Sequence, residues 1–364
     1  MPLGDKLRPK SPVRDFILRL ERHAMVIKAP FCRPASRLVV TVILLALSLV
    51  PDRAWPAEKF TGIYSARVMS QSLPWIAQGA GLFQKYNLDF QLVFIASSPF
   101  VTAALLGGDA QMTLLGGVGI ARAYVQGATD LVFIAGVKNI MTQSIVAGPE
   151  IKRPEDLKGK KIGVSRVGGN THYFAIQALR RFGVDAVKDV TFIQTGGEFE
   201  MLAALLKGGI DAGSMTPPTD EEAVSQGFHR VVSGLDLRIP YAATIFATRR
   251  SVIAKRPQVV GQFMRAMAEA TKVLHTDREF AYKILAKQLR IENRKVLDAA
   301  YNAEVPALER RMDIKPDALQ AMLDEIAQID PRAKKVRPQE LVDRRYLDEM
   351  EKSGFFDKLW GDKK

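Results

Sequence analysis

From Phe60 onward the chain alternates two kinds of apolar pattern. Short continuous runs read as buried strands, and stretches with apolar residues every three or four positions read as amphipathic helices. A first unit predicts strands at Phe60–Ser65, Asp89–Ile95 and Gln111–Leu115. Between them fall a helix over Leu73–Lys85 and another ending at Leu106, and Gly116-Gly117-Val118-Gly119 opens the next. Ser72 suits the cap of the first helix, Pro74 its first turn and Asn87 the left-handed stop after it. A second unit repeats the order, with strands at Lys161–Ser165, Val190–Gln194 and Ala212–Thr216. Its first helix, capped by Asn170 or Thr171, puts Phe174, Ala178, Leu179 and Phe182 on one face, and Gly183 stops it.

The two units are copies about a hundred residues apart. Ala103-Ala104-Leu105-Leu106 recurs as Ala203-Ala204-Leu205-Leu206, Phe94-Ile95 as Phe192-Ile193, and Gln126-Gly127 as Gln226-Gly227. Ser65-Ala66-Arg67 matches Val164-Ser165-Arg166, which makes Arg67 and Arg166 equivalent. Two copies are too few for a solenoid, which needs three or more short repeats, but they suit two similar lobes. Phe133–Ala147 and Ala242–Thr248 are extended candidates for crossings between them, and two crossings make a hinge. The expected fold is α/β, with two similar lobes, each a mixed, mostly parallel sheet flanked by helices. Residues 58–140 and 245–364 form lobe one and residues 141–244 lobe two. The last part, from about Pro257, is a helical C-terminal segment, with Val259, Phe263, Ala266 and Met267 on one face and Met264/Met267 as core filling.

Residues 1–57 differ from the rest. Leu38–Val50 is an uncharged apolar run preceded by Lys28, Arg33 and Arg37, too short to span a bilayer comfortably but suited to a signal peptide. Met25 offers a more usual start. The expectation is export to the periplasm or another extracytoplasmic space, with an uncleaved membrane anchor as the alternative. This segment holds +6 of the net charge of +13. The other positive charges are dispersed, which argues against nucleic-acid binding. The single cysteine, Cys32, excludes a disulfide framework, and four scattered histidines give no metal motif. No metal, no cofactor and no catalytic group is expected.

In open α/β sheets, ligands lie beyond the carboxyl ends of strands, where helix N-termini present backbone donors. Each lobe offers three such loops. In the first they supply Arg67, Ser70, Ser72 and Trp75, then Ser97 and Ser98, then Gly117 and Val118. In the second they supply Arg166, Gly169, Asn170 and Thr171, then Gly197, then Thr216 and Pro217, with Tyr241 near the second crossing. None of these loops is a P-loop or a dinucleotide fingerprint. Facing arginines at 67 and 166, with Lys138 nearby, favour an anionic ligand. The alternative is a neutral heterocycle held by Trp75, Tyr64 or Tyr241. His172, Glu198 and Glu200 lie close enough to touch a ligand, although first-turn acids also simply favour the helix dipole.

Several motifs carry a family resemblance: Pro74-Trp75-Ile76-Ala77, Gly81-Leu82-Phe83, Leu105-Leu106-Gly107-Gly108-Asp109-Ala110, Asp156-Leu157-Lys158-Gly159-Lys160-Lys161-Ile162-Gly163 and Ser353-Gly354-Phe355-Phe356. In these the chain resembles type 2 periplasmic solute-binding proteins of ABC transporters, in the family for taurine, alkanesulfonates, nitrate and the thiamine pyrimidine precursor. The resemblance implies a monomer that closes two lobes on a small molecule and presents it to a permease. It also implies a helical tail packed largely on the first lobe. Two rivals use the same cleft. One is an enzyme like those that make the thiamine pyrimidine, which use pyridoxal phosphate, a lysine and a cysteine-rich motif; the sequence after Cys32 has no cysteine. The other is a sensor or receptor without a permease.

Overall fold

The computed structural model of the chain describes residues 57–361. The apolar run Leu38–Val50 and the basic stretch before it lie outside these residues. Among the described residues no helix is long and apolar enough to cross a membrane.

Among the described residues ten strands form two five-stranded sheets. They are β1 (Glu58–Tyr64), β2 (Leu88–Phe94), β3 (Met112–Leu115), β4 (Leu131–Ile140), β5 (Ser144–Ala147), β6 (Lys161–Val164), β7 (Thr191–Gln194), β8 (Ala212–Met215), β9 (His229–Ser233) and β10 (Pro240–Arg249). The first sheet has the order β2-β1-β3-β10-β4 and the second β7-β6-β8-β5-β9. In each, the three strands of one βαβαβ run are parallel. The fourth position holds an antiparallel strand that arrives from the other lobe: β10 between β3 and β4, β5 between β8 and β9. Both arriving strands are buried almost throughout, which explains their mostly apolar sequence. This is the two-lobed α/β architecture expected from the sequence, each lobe a mixed sheet whose antiparallel strand comes from the other.

The repeat holds at the level of single hydrogen bonds. Ile95 N–H donates to Tyr64 O as Thr195 does to Val164 O, and Ser97 to Ser65 O as Gly196 does to Ser165 O. Tyr64 therefore matches Val164, and Ser65 matches Ser165. The sequence alignment of this loop was one residue out. Arg67 matches Val167, and Arg166 matches Ala66, so the two arginines are not equivalent.

The crossings are short. Met141–Gln143 joins β4 to β5, and Arg238–Ile239 joins the small helix Gly234–Leu237 to β10. Met141 N–H donates to Ile239 O at 3.0 Å and Gly234 N–H to Gln143 O at 2.7 Å, so the crossings lie side by side. Residues 240–244, expected in lobe two, are part of β10, because the run from Tyr241 is buried in the first sheet from its start. The expected single helix over Leu73–Lys85 is two, Leu73–Gly79 and Leu82–Lys85, broken where Gly81 takes a φ of +67°.

The C-terminal helices bury their apolar faces mainly on the first lobe. Helix Pro257–Thr276 places Phe263 among Phe60, Phe83, Phe90 and Phe246, with Met264 and Met267 fully buried beside it. One tail helix, Pro316–Ala327, also reaches lobe two: its Glu325 accepts from Gln177 Nε2 at 2.6 Å and lies 3.5 Å from Arg180.

Candidate functional site

A cavity of about 100 Å³ lies between the lobes, at the carboxyl ends of the parallel strands. Three helices of nine to twelve residues begin at its wall: Ser98–Gly107 from lobe one, Asn170–Arg181 and Glu198–Leu206 from lobe two. Their first turns bring unpaired N–H groups and positive partial charge to the cavity. The lobe-one loop is fixed by Gln71, whose Oε1 accepts from Ser65 N–H and Ala66 N–H at 2.9 and 3.1 Å while its Nε2 donates to Ser65 Oγ. Thr171 does the matching work in lobe two, its Oγ1 accepting from Ser165 N–H at 2.9 Å. Ser98 Oγ accepts from Gly116 N–H at 3.2 Å, and Thr244 Oγ1 donates to Ser70 Oγ at 3.0 Å.

The lobes touch across the cavity. Asn170 Nδ2 donates to Ala243 O at 2.7 Å, and a Cβ on Gly116 would lie only 2.0 Å from Asn170 Oδ1. Met69 N–H donates to Pro217 O at 3.4 Å. The two lobes are therefore in direct contact around the cavity.

The electrostatics differ from those of a simple cationic pocket. Arg67 lines the cavity, its guanidinium 4.8 Å from the centre of the Phe94 ring. Lys138 also lines it, but its Nζ is buried against Glu304 and donates to Thr142 Oγ1 at 2.6 Å. The opposite wall carries Glu198 and Glu200. Glu198 is buried, and burial pushes its carboxyl up to about 7 despite the hydrogen bond from Thr216 N–H. A Cβ on Gly197 would meet Glu200 Oε2 at 2.4 Å, so the Glu198–Leu206 terminus already has its own carboxylate. The other two termini remain for an external anion. Ser97 Oγ and Gln143 Oε1 are buried at the cavity without a partner, and Ser97 holds a φ of +81°.

Of the residues expected from sequence, Arg67, Ser70, Ser97, Ser98, Asn170, Thr171, Gly197 and Thr216 line this cavity. Eight others do not. Ser72 and Val118 are buried in the first lobe, and Gly117 donates its N–H to Ala242 O. Trp75 packs edge-on against Tyr64 in the core, and Tyr241 stacks on Tyr173 at 4.2 Å. Gly169 and Pro217 support the lobe interface with backbone rather than lining the space. Arg166 lies over the Phe100 ring at 4.2 Å, drawn across to the other lobe. His172 packs on Phe192 and accepts from Gly168 N–H, with burial holding its imidazole below the usual range. Sequence reading missed Ser65, Gln71, Gln143, Ser165 and Thr244. The repeat itself carried the signal for Ser65 and Ser165, exactly a hundred residues apart; nothing local marked Gln71 or Gln143. Among the described residues no group of side chains could hold a metal ion.

A family model described as NMT1/THI5 like matches residues 73–281. The taurine-binding periplasmic protein of Escherichia coli (strain K12) is 26% identical over 178 residues, 48% of this chain and 54% of that protein. The chain thus matches about half of that relative's length. A putative binding protein of Brucella abortus (strain 2308) is 25% identical over 281 residues, 75% of this chain and 85% of that protein. The alkanesulfonate-binding protein SsuA of Xanthomonas axonopodis pv. citri, solved bound to MOPS, superposes with a TM-score of 0.66 at 21% identity, covering 79% and 99% of the two chains. The desulfurization enzyme DszB shares the fold, with a TM-score of 0.62 at 15% identity over 81% and 99%.

Proposed function

The chain belongs to the NMT1/THI5-like family, and from that premise we propose that it is an extracytoplasmic solute-binding protein that delivers a small organosulfonate-type anion to an ABC transporter permease. The observation that carries this reading is the closed interlobe cavity of about 100 Å³, with helix termini from both lobes at its wall. A carrier needs a closed form that hides its cargo and a hinge that releases it. Relatives named for taurine and alkanesulfonates support the ligand class.

Arg67 and the Ser98–Gly107 terminus take the anionic head, with Ser97 Oγ and Asn170 beside it. Glu198 and Glu200 sit on the facing wall, so the far end of the ligand carries a hydrogen-bond donor, an ammonium or a hydroxyl. The expected N-terminal leader supports export.

A thermal-shift and calorimetric screen tests the proposal with taurine, 2-hydroxyethanesulfonate, ethanesulfonate, the matching carboxylates, nitrate and a pyrimidine. A hundredfold excess of a true ligand over its Kd stabilises the folded protein by about 2.7 kcal/mol. A neutral pyrimidine as the best ligand would overturn the anion assignment. The fold likeness to DszB and the carboxyl of Glu198 near 7 favour an enzyme as the second reading. Consumption of the bound ligand would decide for it.

A further inference from the structure

A second depression, of about 680 Å³, opens beside the hinge away from the cavity described above. It is lined by Asn139 and Ile140 at the end of β4, by Arg238 in the other crossing, and by residues of the tail from Pro306 to Trp360 together with His275. Five cationic side chains and three acidic ones line it. The acids are already used. Asp313 is paired with Arg344 and lies 3.9 Å from Lys315, Glu309 lies 3.7 Å from Lys315 and accepts from Asn139 Nδ2, and Glu351 is 2.8 Å from Arg311. Arg238 and Arg310 have no acidic partner among the described residues, and they account for the surplus of two positive charges.

Two further nitrogens sit at the same place without a hydrogen-bond partner, one of them an indole N–H that can only donate. Trp360 is 7% exposed, and its Nε1–H is buried without a hydrogen-bond partner. His275 Nε2 is likewise buried and unpartnered, its ring 5.7 Å from that of Trp360. Burial, with Arg310 and Lys272 alongside, holds this imidazole down to about 4, so it is uncharged at neutral pH. A buried N–H left unpaired is costly, and an acceptor arriving from solution removes that penalty. The Arg310 guanidinium lies 4.2 Å from the centre of the Trp360 ring, which ties the cation to the indole. Arg238 holds a φ of +45°, an uncommon conformation for a residue with a Cβ, and it does so in the hinge itself.

We propose that this hinge-side groove is a second binding site, for a small oxyanion such as a phosphate or carboxylate group, held by Arg238 and Arg310 with Trp360 Nε1 and His275 Nε2 as neutral donors. It holds two guanidinium groups without an acidic partner and a buried indole N–H without an acceptor, which is the chemistry of an anion site. Because Arg238 belongs to a crossing and Arg310, His275 and Trp360 to the tail, an anion joining them also bears on the hinge.

The test uses protein labelled with 15N-tryptophan, whose three indole resonances are assigned with Trp360→Phe, and titrates it with inorganic phosphate at constant ionic strength made up with sodium chloride. The Trp360 indole resonance should move saturably while that of Trp75 stays in place. Arg238→Gln and Arg310→Gln should each weaken phosphate binding about tenfold to a hundredfold, the scale of one charged hydrogen bond. Arg67→Gln, in the other cavity, should leave the titration unchanged. Both hinge-side arginines are exposed, so their variants should fold, and unchanged melting temperatures would establish it. A Trp360 resonance that ignores phosphate, or phosphate binding as tight as wild type in both arginine variants, would overturn the assignment.

Discussion

The contact between Gly116 and Asn170 joins the two lobes and is easily obstructed. Gly116 follows β3 in lobe one, and Asn170 begins the first helix of lobe two. A methyl group on Gly116 would lie 2.0 Å from Asn170 Oδ1 and 2.3 Å from both Cγ and Nδ2. Carbon contacts are favourable only near 3.5–4.0 Å, so the lobes must part by more than an ångström or Asn170 must turn away. Turning away breaks its 2.7 Å hydrogen bond to Ala243 O. Leaving that buried carbonyl unpaired costs about 1–3 kcal/mol. Gly116 is not among the residues with positive φ, so alanine is tolerated by the open form and the whole penalty falls on closure. For a ligand held only by the closed form, that penalty weakens apparent affinity by roughly fivefold to 150-fold. Calorimetry with taurine, or with the best ligand of the screen, measures the loss, and small-angle scattering of the saturated protein should show Gly116→Ala remaining more extended than wild type. The double variant Gly116→Ala/Asn170→Gly removes the obstacle and should recover compaction. Wild-type affinity and compaction in Gly116→Ala alone would refute the reasoning, because the contact would then not belong to the ligand-bound state.

Three other expectations follow from the same site. Lys138→Met strands the buried Glu304 carboxylate and should destabilise the protein by about 3–5 kcal/mol in urea unfolding, with Lys138→Met/Glu304→Gln recovering most of it; equal losses in the two would count against a coupled pair. The Glu198 carboxyl is raised from 4.5 to about 7, so its contribution to stability is complete below pH 4.5 and is lost as pH rises through 7. Unfolding free energy should therefore fall over that window by roughly 3 kcal/mol at most, and Glu198→Gln should flatten the fall, leaving the smaller slope from Asp220, which is raised to about 6. Arg67→Ala should weaken binding of an anionic ligand about tenfold to a hundredfold without altering the melting temperature of the free protein; unchanged affinity would remove Arg67 from the site.

The alternation of apolar runs and the internal repeat made the three parallel strands of each sheet legible, whereas β9 was not, and β4, β5 and β10 read only as extended crossings, because a strand's pairing across lobes leaves no local signal. The lining of the cavity was legible where it comes from strand-to-helix turns, as at Ser97, Asn170 and Gly197, whose place is set by topology. It was illegible where a side chain chooses between partners. Arg166 lies on Phe100 and Lys138 is paired with Glu304, and neither partner is near in sequence. Trp75 and Tyr241 illustrate the same difficulty from the apolar side, since an aromatic residue beside a binding loop packs into the core as readily as into a cleft. The one-residue error that equated Arg67 with Arg166 arose from matching residue types; the backbone hydrogen bonds of Ser65 and Ser165 set the true register.

The paired crossings have a mechanical consequence. Two separate linkers would let the lobes swing, slide and spin independently. Here Met141 bonds one crossing to the other at Ile239, and Gly234 of the adjoining helix bonds Gln143, so the two connections form a ribbon, which bends readily across its thin direction and is stiff against shear and torsion. Motion of the lobes is thereby confined close to a single axis. Asn170 then returns to the same carbonyl of Ala243 on each stroke, and recognition depends on how far the jaws travel rather than on how they are turned.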